Sequence, residues 1–130
     1  MKRRSDFGDE RDADLLRAYR EVLGEVDYIR LDEVCEKVVA KPSKRFWVSE
    51  ERAAEVVGKM LRGGSLAGMM PQRRAMYEEI YRRCVERLRG CRMPLCQVVF
   101  DVVNSPAPCF YLEPKSAKII LWRVRHKGKF

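Results

Sequence analysis

The sequence lacks any long apolar run, since no stretch of its 130 residues approaches the roughly 18 uninterrupted apolar residues of a membrane-spanning helix. The basic N-terminal segment MKRRSDFGDE has no apolar core behind it and so does not resemble a secretory signal. Neither G-x-x-x-x-G-K-[ST] nor G-x-S-x-G occurs, which argues against the enzymes that carry these motifs. We therefore expect a cytoplasmic protein that is not an enzyme and has no membrane partner.

Metal-ligand and disulfide patterns are missing as well. No two cysteines have C-x-x-C spacing, and an odd number of cysteines is unfavourable for a disulfide framework. We expect no metal, no cofactor and no catalytic residue, and cysteines that are reduced and packed as small hydrophobic side chains. The residues concerned are Cys35, Cys84, Cys91, Cys96 and Cys109, together with the single histidine, His126.

Charge is divided unevenly along the chain, whose formal net charge is +8. Residues 1–36 hold 7 basic and 11 acidic side chains, whereas residues 37–130 hold 20 basic and 8 acidic ones. An acidic head followed by a strongly basic body is typical of a protein that binds a polyanion through the body. The alternative is a basic protein whose charge serves only its solubility.

Apolar residues recur at three- and four-residue steps in six segments, which predicts an all-α protein of about six helices. Ser49 is a suitable N-cap and Pro71 a suitable first helical residue. The predicted helices cover about residues 10–24, 30–40, 50–62, 71–90, 94–103 and 113–124.

The helices are expected to form two tandem, pseudo-equivalent units of three helices each. Glycines and small residues at 63–70 separate the two groups. We predict a disordered N-terminal tail at 1–9, a first repeat unit at 10–62, a hinge at 63–70, a second repeat unit at 71–124 and a basic tail at 125–130. A chain of this length fits one compact domain overall.

An internal repeat is the strongest pattern, because residues 31–57 match residues 95–121 without a gap. At this offset of 64 residues, 7 of 27 positions are identical, whereas average composition would give about one or two. The identities include the pairs Pro42/Pro106, Phe46/Phe110 and Ala53/Ala117. The repeat predicts a tandem duplication of a helix–turn–helix-like unit: a helix, a proline-enforced turn, a buried aromatic pair and a second helix packed through its alanine.

The first copy carries basic residues that the second copy lacks. Its connector contains Lys41, Lys44 and Arg45. Because the second helix of a helix–turn–helix enters the DNA major groove, the exposed cations of the following helix are candidate contacts too. These cations are Arg52, Lys59 and Arg62. Two glutamates on the same helix would repel phosphate, and the connector is longer than the usual turn of this motif.

The fourth helix and the C-terminal segment offer further cations. We include Arg73, Arg74, Arg82 and Arg83 as candidate phosphate contacts. Glutamates at helical spacing can pair with these arginines, so a merely solvated face is the alternative. The basic C-terminal run could form a nonspecific nucleic-acid arm, or it could be a fraying tail.

The stretch Pro42-Ser43-Lys44-Arg45-Phe46-Trp47-Val48-Ser49-Glu50-Glu51-Arg52-Ala53 resembles a motif in small basic proteins of bacterial prophages and integrative elements, notably from gut Bacteroidetes. The segment Ser105-Pro106-Ala107-Pro108-Cys109-Phe110-Tyr111-Leu112 resembles the same motif with Cys109 in place of the arginine. The resemblance covers roughly half the chain and implies a mobile-element context and action on DNA. It implies no roles for individual residues.

These patterns favour a DNA-binding protein, regulatory in character, whose first repeat makes the contacts. One alternative is a protein–protein adaptor, in which the acidic head or the hinge residues Leu66, Met69 and Met70 would dock a phage-encoded partner. The other is a structural homodimer that does not bind nucleic acid.

Overall fold

A computed structural model describes residues 7–90 and 92–126, and within them the chain forms six α-helices and no β-strand. The prediction of an all-α protein with six helices is confirmed. None of these helices is long and apolar enough to span a membrane. The helices are α1 (Gly8–Leu23), α2 (Leu31–Val39), α3 (Glu50–Leu61), α4 (Pro71–Gly90), α5 (Leu95–Val103) and α6 (Pro114–His126).

Local signals in the chain set several helix ends. The hydroxyl of Ser49 caps α3 by accepting a hydrogen bond from the backbone N–H of Arg52 at 3.1 Å. Pro71 and Pro114 begin α4 and α6, where a missing N–H costs no helical hydrogen bond. Gly63 follows α3 with a φ of 85°, a left-handed conformation that favours glycine.

The two predicted tails are shorter than expected within the part of the chain that the structure describes. α1 already begins at Gly8, inside the tail predicted for residues 1–9. α6 continues to His126, so the first two residues of the predicted tail at 125–130 are helical. Residues 1–6 and 127–130 lie outside the described residues.

The helices group into two compact units that do not follow the order of the chain. Unit 1 contains α1, α2 and α6, and each of these helices packs on the other two. Unit 2 consists of Lys44–Pro106 and contains α3, α4 and α5, which also pack pairwise. The compact units therefore differ from the three-helix units predicted at 10–62 and 71–124, because each takes helices from both of those ranges.

The grouping corrects the predicted helix–turn–helix hairpin. α2 packs within unit 1 and α3 within unit 2, although residues 40–49 (connector 1) join them directly. Residues 104–113 (connector 2) likewise lead from α5 in unit 2 to α6 in unit 1. Each connector runs without helical structure, and its backbone bonds to residues far along the chain.

Hydrogen bonds in the two connectors match at residues 64 positions apart. The N–H of Phe46 donates to the carbonyl of Val103 in unit 2, and the N–H of Phe110 donates to that of Val39 in unit 1, both at 3.0 Å. Ser43 and Ala107 exchange two backbone hydrogen bonds at 3.0 Å, which makes an isolated antiparallel bridge in unit 1. Equivalent residues of the two connectors therefore form backbone hydrogen bonds with partners that are themselves 64 positions apart.

Each unit buries its own apolar core. Unit 1 buries Leu15, Val22, Val34, Val38, Ala117 and Leu121, and unit 2 buries Phe46, Val57, Tyr77, Ile80, Val98 and Val102. The predicted buried aromatic pairs are only half correct. Phe46 and Phe110 are buried, whereas the neighbouring Trp47 and Tyr111 are half-buried.

The grouping predicts that a cut between α3 and α4 will not separate the two parts of the chain. α3 lies before the cut and packs with α4 and α5, while α6 lies after it and packs with α1 and α2. A protease site can be inserted at Gly68, where a side chain would meet no atom within 4 Å. After cleavage, both fragments should co-elute from a gel-filtration column in native buffer and separate only in denaturant.

The uncleaved insertion variant is the control, because it reports any effect of the inserted residues themselves. Separate elution of the two fragments in native buffer would show that the helices are not shared between the units in this way.

Candidate nucleic-acid interface

Arg45, a predicted DNA contact, is bound within the protein. Its guanidinium donates to the carbonyls of Phe46 at 3.0 Å and Val48 at 2.6 Å, and it lies 3.8 Å from the carboxylate of Glu50. The same group lies over the Trp47 ring, 5.2 Å from its centroid. Only 16% of the side chain is exposed. Arg45 therefore fastens connector 1 to the start of α3.

The other two cations of connector 1 lie in different units. Lys41 belongs to unit 1, where its ammonium lies 2.5 Å from Glu25 and 4.0 Å from Glu21. Lys44 belongs to unit 2 and is exposed. Lys41 and Arg45 are thus each bound to groups of their own unit, whereas Lys44 is exposed.

Arg83 and Arg82 both lie on α4, but their surroundings differ. Arg83 donates to the Pro106 carbonyl at 2.9 Å and to Glu79 at 2.7 Å, and it lies over the Phe46 ring at 5.0 Å. Arg82 is more exposed and binds Glu79 at 2.7 Å. Hydrogen bonds from Arg82 and then Arg83 lower the pKa of Glu79 below its ordinary value. Arg83 therefore holds connector 2 against α4.

Replacement of Arg83 should destabilise the fold, whereas the same change at Arg82 should not. Arg83→Lys keeps the charge but loses the planar donor set that reaches a carbonyl and a carboxylate together. We expect the free energy of unfolding to fall by about 1–2 kcal/mol. Arg82→Lys, which alters a mostly exposed ion pair, should change it by less than about 0.5 kcal/mol.

Urea unfolding with a shared m-value measures both changes. Equal midpoints for the two variants would show that the Arg83 bonds contribute nothing particular to stability.

The start of α3 is negatively charged. Glu50 accepts a hydrogen bond from the Asn104 side chain at 3.0 Å, which lowers the pKa of Glu50 below its ordinary value. Burial opposes this shift, and the charge of Arg45 supports it. A carboxylate held in its ionised form repels phosphate. This charge disfavours the predicted entry of α3 into the DNA major groove.

Cations without a carboxylate partner occur farther along α3 and at the start of α4. Arg52 pairs with Glu55 at 3.2 Å. Burial raises the pKa of Tyr77, while the charges of Arg52 and Arg73 act on it in the opposite direction, so α3 and α4 both bring cations near this hydroxyl. Four other predicted contacts make no ion pair among the described residues. They are Lys59, Arg62, Arg73 and Arg74, of which Arg74 is half-buried and the others exposed.

Net charge also differs between the units. Among the described residues, unit 2 carries 12 basic and 7 acidic side chains, whereas unit 1 carries 10 basic and 11 acidic ones. The basic body found in the sequence is therefore concentrated in unit 2. We name Lys59, Arg62, Arg73 and Arg74 the unit 2 cationic face.

No protein family matches the chain, and neither a curated protein nor a solved structure does.

The cysteines are more varied than predicted. Cys35 and Cys84 are buried, as expected for small hydrophobic side chains, but Cys96 is exposed and Cys109 is half-buried. Cys91 lies outside the described residues. No group of three or more potential ligands capable of holding a metal ion occurs in residues 7–90 and 92–126.

Alkylation should distinguish Cys84 from Cys96. Burial raises the pKa of the Cys84 thiol to about 11, so very little reactive thiolate is present at pH 8. In native protein, iodoacetamide should modify exposed Cys96 first and leave Cys84 unmodified, as read by peptide mass spectrometry. In denaturant both should react, and equal labelling of the two in native protein would contradict this burial.

Two exposed apolar residues on α6, Ile119 and Trp122, are absent from the residues predicted from the sequence. They are 62% and 57% exposed, and Trp122 stacks on His126. Their signal in the sequence is that two apolar residues interrupt the otherwise polar side of a basic helix.

Proposed function

We propose that the protein binds duplex DNA through the unit 2 cationic face. The observation that carries this proposal is the set of four cations, at the C-terminal end of α3 and the start of α4 in one unit, that lack a carboxylate partner among the described residues. Lysine and arginine that are not already paired can neutralise backbone phosphates and release counterions. Arg45 and Arg83 are excluded from the face because they are bound within the protein.

The start of α4 adds to the positive potential of this face. The first turn of α4 contains no acidic residue, so nothing offsets the partial positive charge at the helix N-terminus. Arg73 and Arg74 lie in that turn and the next. Lys59 lies in the last turn of α3 and Arg62 is its C-cap, both away from the glutamates at the start of that helix. Such a surface suits backbone phosphates and does not depend on base sequence.

The biological setting remains part of the proposal. The resemblance of connector 1 to proteins of prophages and integrative elements favours a regulatory or architectural role on the DNA of a mobile element. Such a role places the protein in the cytoplasm.

Three of the four cations in the unit 2 cationic face are arginines, which bind phosphate with two donors at once.

A salt titration with mixed-sequence duplex DNA tests the proposal. Four phosphate contacts should give a plot of log binding constant against log salt concentration with a slope of about −3.6. The double variant Arg62→Ala, Arg73→Ala removes two of these contacts, so its slope should become shallower by about 1.8. Fluorescence anisotropy of labelled DNA measures both values.

The matched control is the double variant Arg20→Ala, Lys37→Ala, which removes two exposed cations from unit 1 instead. Its slope should equal that of the unaltered protein. If both double variants behave alike, binding follows net charge and the unit 2 cationic face is not the site. An absence of binding at low salt would remove the proposed function altogether.

A protein–protein adaptor is the second candidate, because apolar side chains are exposed in and next to the predicted hinge at residues 63–70. Met70 is 71% exposed and Leu61 is 44% exposed. Leu66, which the sequence suggested as a docking residue, is buried and is not available. A phage-encoded protein or a second copy of the chain would then cover Met70, and Met70→Ser would weaken that association without changing DNA binding.

A further inference from the structure

A stripe with two apolar side chains at its centre crosses the solvent side of α6. Lys115, Ile119, Trp122 and His126 follow one another at steps of four, three and four residues, which places them on one helical face. We call these four residues the α6 outer face. Ile119 and Trp122 are more than half exposed, while the opposite side of α6 buries Ala117, Ile120 and Leu121.

The indole of Trp122 is held in place by His126. The two rings stack with their centroids 4.2 Å apart and their planes inclined by 23°. The Trp122 carbonyl accepts a hydrogen bond from Nδ1 of His126 at 2.8 Å, which fixes the imidazole against the helix. With one side supported by imidazole and more than half of the residue exposed, the indole offers a preorganised flat surface for another ring.

The charged side chains of α6 itself are all cations. α6 contains no acidic residue. Lys115 makes no ion pair with any carboxylate in the described part of the chain. Lys118 and Arg123 flank the stripe and lie 3.0 Å from Asp32 and 3.7 Å from Asp12, respectively. Cations therefore border the indole on both sides, with two of them partly neutralised.

Comparison with α3 indicates that the fold does not require Trp122. The residue 64 positions earlier is Gly58, and Glu55 occupies the position that corresponds to Ile119. Both helices nevertheless bury the equivalent alanines, Ala53 and Ala117, completely. The tryptophan is thus an addition to the solvent side of one helix and not a part of the packing that the two helices share.

We propose that the α6 outer face binds single-stranded nucleic acid, with an unpaired base stacked on Trp122 and phosphates next to Lys115. A base is a flat π-system that stacks on an exposed indole, and its backbone carries the negative charge that the bordering cations attract. An apolar protein segment would match Ile119 but would offer no negative charge to Lys115. The surface lies in unit 1 and does not depend on the unit 2 cationic face.

Trp122 fluorescence tests the proposal directly. Trp47→Phe leaves Trp122 as the sole tryptophan, and titration with a 12-nucleotide oligo(dT) should quench its emission. An abasic oligonucleotide of the same length carries the same charge without bases, so it should bind more weakly and leave the emission nearly unchanged. Stacking of one base predicts that Trp122→Leu weakens oligo(dT) binding about tenfold, measured by anisotropy of labelled DNA.

The exposed position of Trp122 allows the leucine variant to fold, which its circular dichroism and urea midpoint will show. Ile119→Ser is the matched control, since it removes apolar area from the same face without removing the aromatic ring, and it should alter oligo(dT) affinity by less than about twofold. Duplex binding should remain unaffected by Trp122→Leu. Equal affinity for the abasic strand, or equal quenching by poly-glutamate, would overturn the proposal in favour of simple charge attraction or an acidic protein partner.

Discussion

The arrangement of the helices depends on how the connectors satisfy their backbone polar groups. A buried amide or carbonyl without a partner is costly, and an irregular segment between helices has no helical partner of its own. Here Phe46 and Phe110 donate to carbonyls at the ends of α5 and α2. Arg17 and Arg83 donate to the carbonyls of Pro42 and Pro106, at 3.0 and 2.9 Å. These bonds fix the path of each connector, and the path decides which unit receives the next helix.

Helix positions could be predicted from the sequence because their determinants are local. The Ser49 cap, the first-turn prolines of α4 and α6 and the apolar stripes all act within a few residues. The packing partners could not be predicted in the same way. α3 and α6 present similar buried faces, with Ala53, Val56 and Val57 in one and Ala117, Ile120 and Leu121 in the other. The apolar pattern alone does not show which unit each of these helices joins. The long-range bonds of the connectors distinguish the two, and they cannot be read from that pattern.

The candidate site shows the same limit for charged residues. Sequence reasoning found the basic body but could not separate cations bound within the protein from those facing solvent. Arg45 and Arg83 have carbonyl partners that come from a connector's own fold, and no spacing rule reveals them. By contrast, the pairing of Arg82 with Glu79 follows from helical spacing and was foreseeable. The tandem duplication stays a proposal, which the matching connector bonds support.

If the two copies arose by duplication, the exchange of α3 and α6 explains why their solvent faces could diverge so far. Each exchanged helix keeps its core contacts through the buried alanine and the aliphatic residues that follow it. The solvent side is free of that constraint, because substitutions there leave the core and the connector bonds unchanged. α3 then carries Glu55 and Gly58 where α6 carries Ile119 and Trp122. One scaffold can thus present a charged surface in unit 2 and an aromatic surface in unit 1, so the two units need not share a ligand.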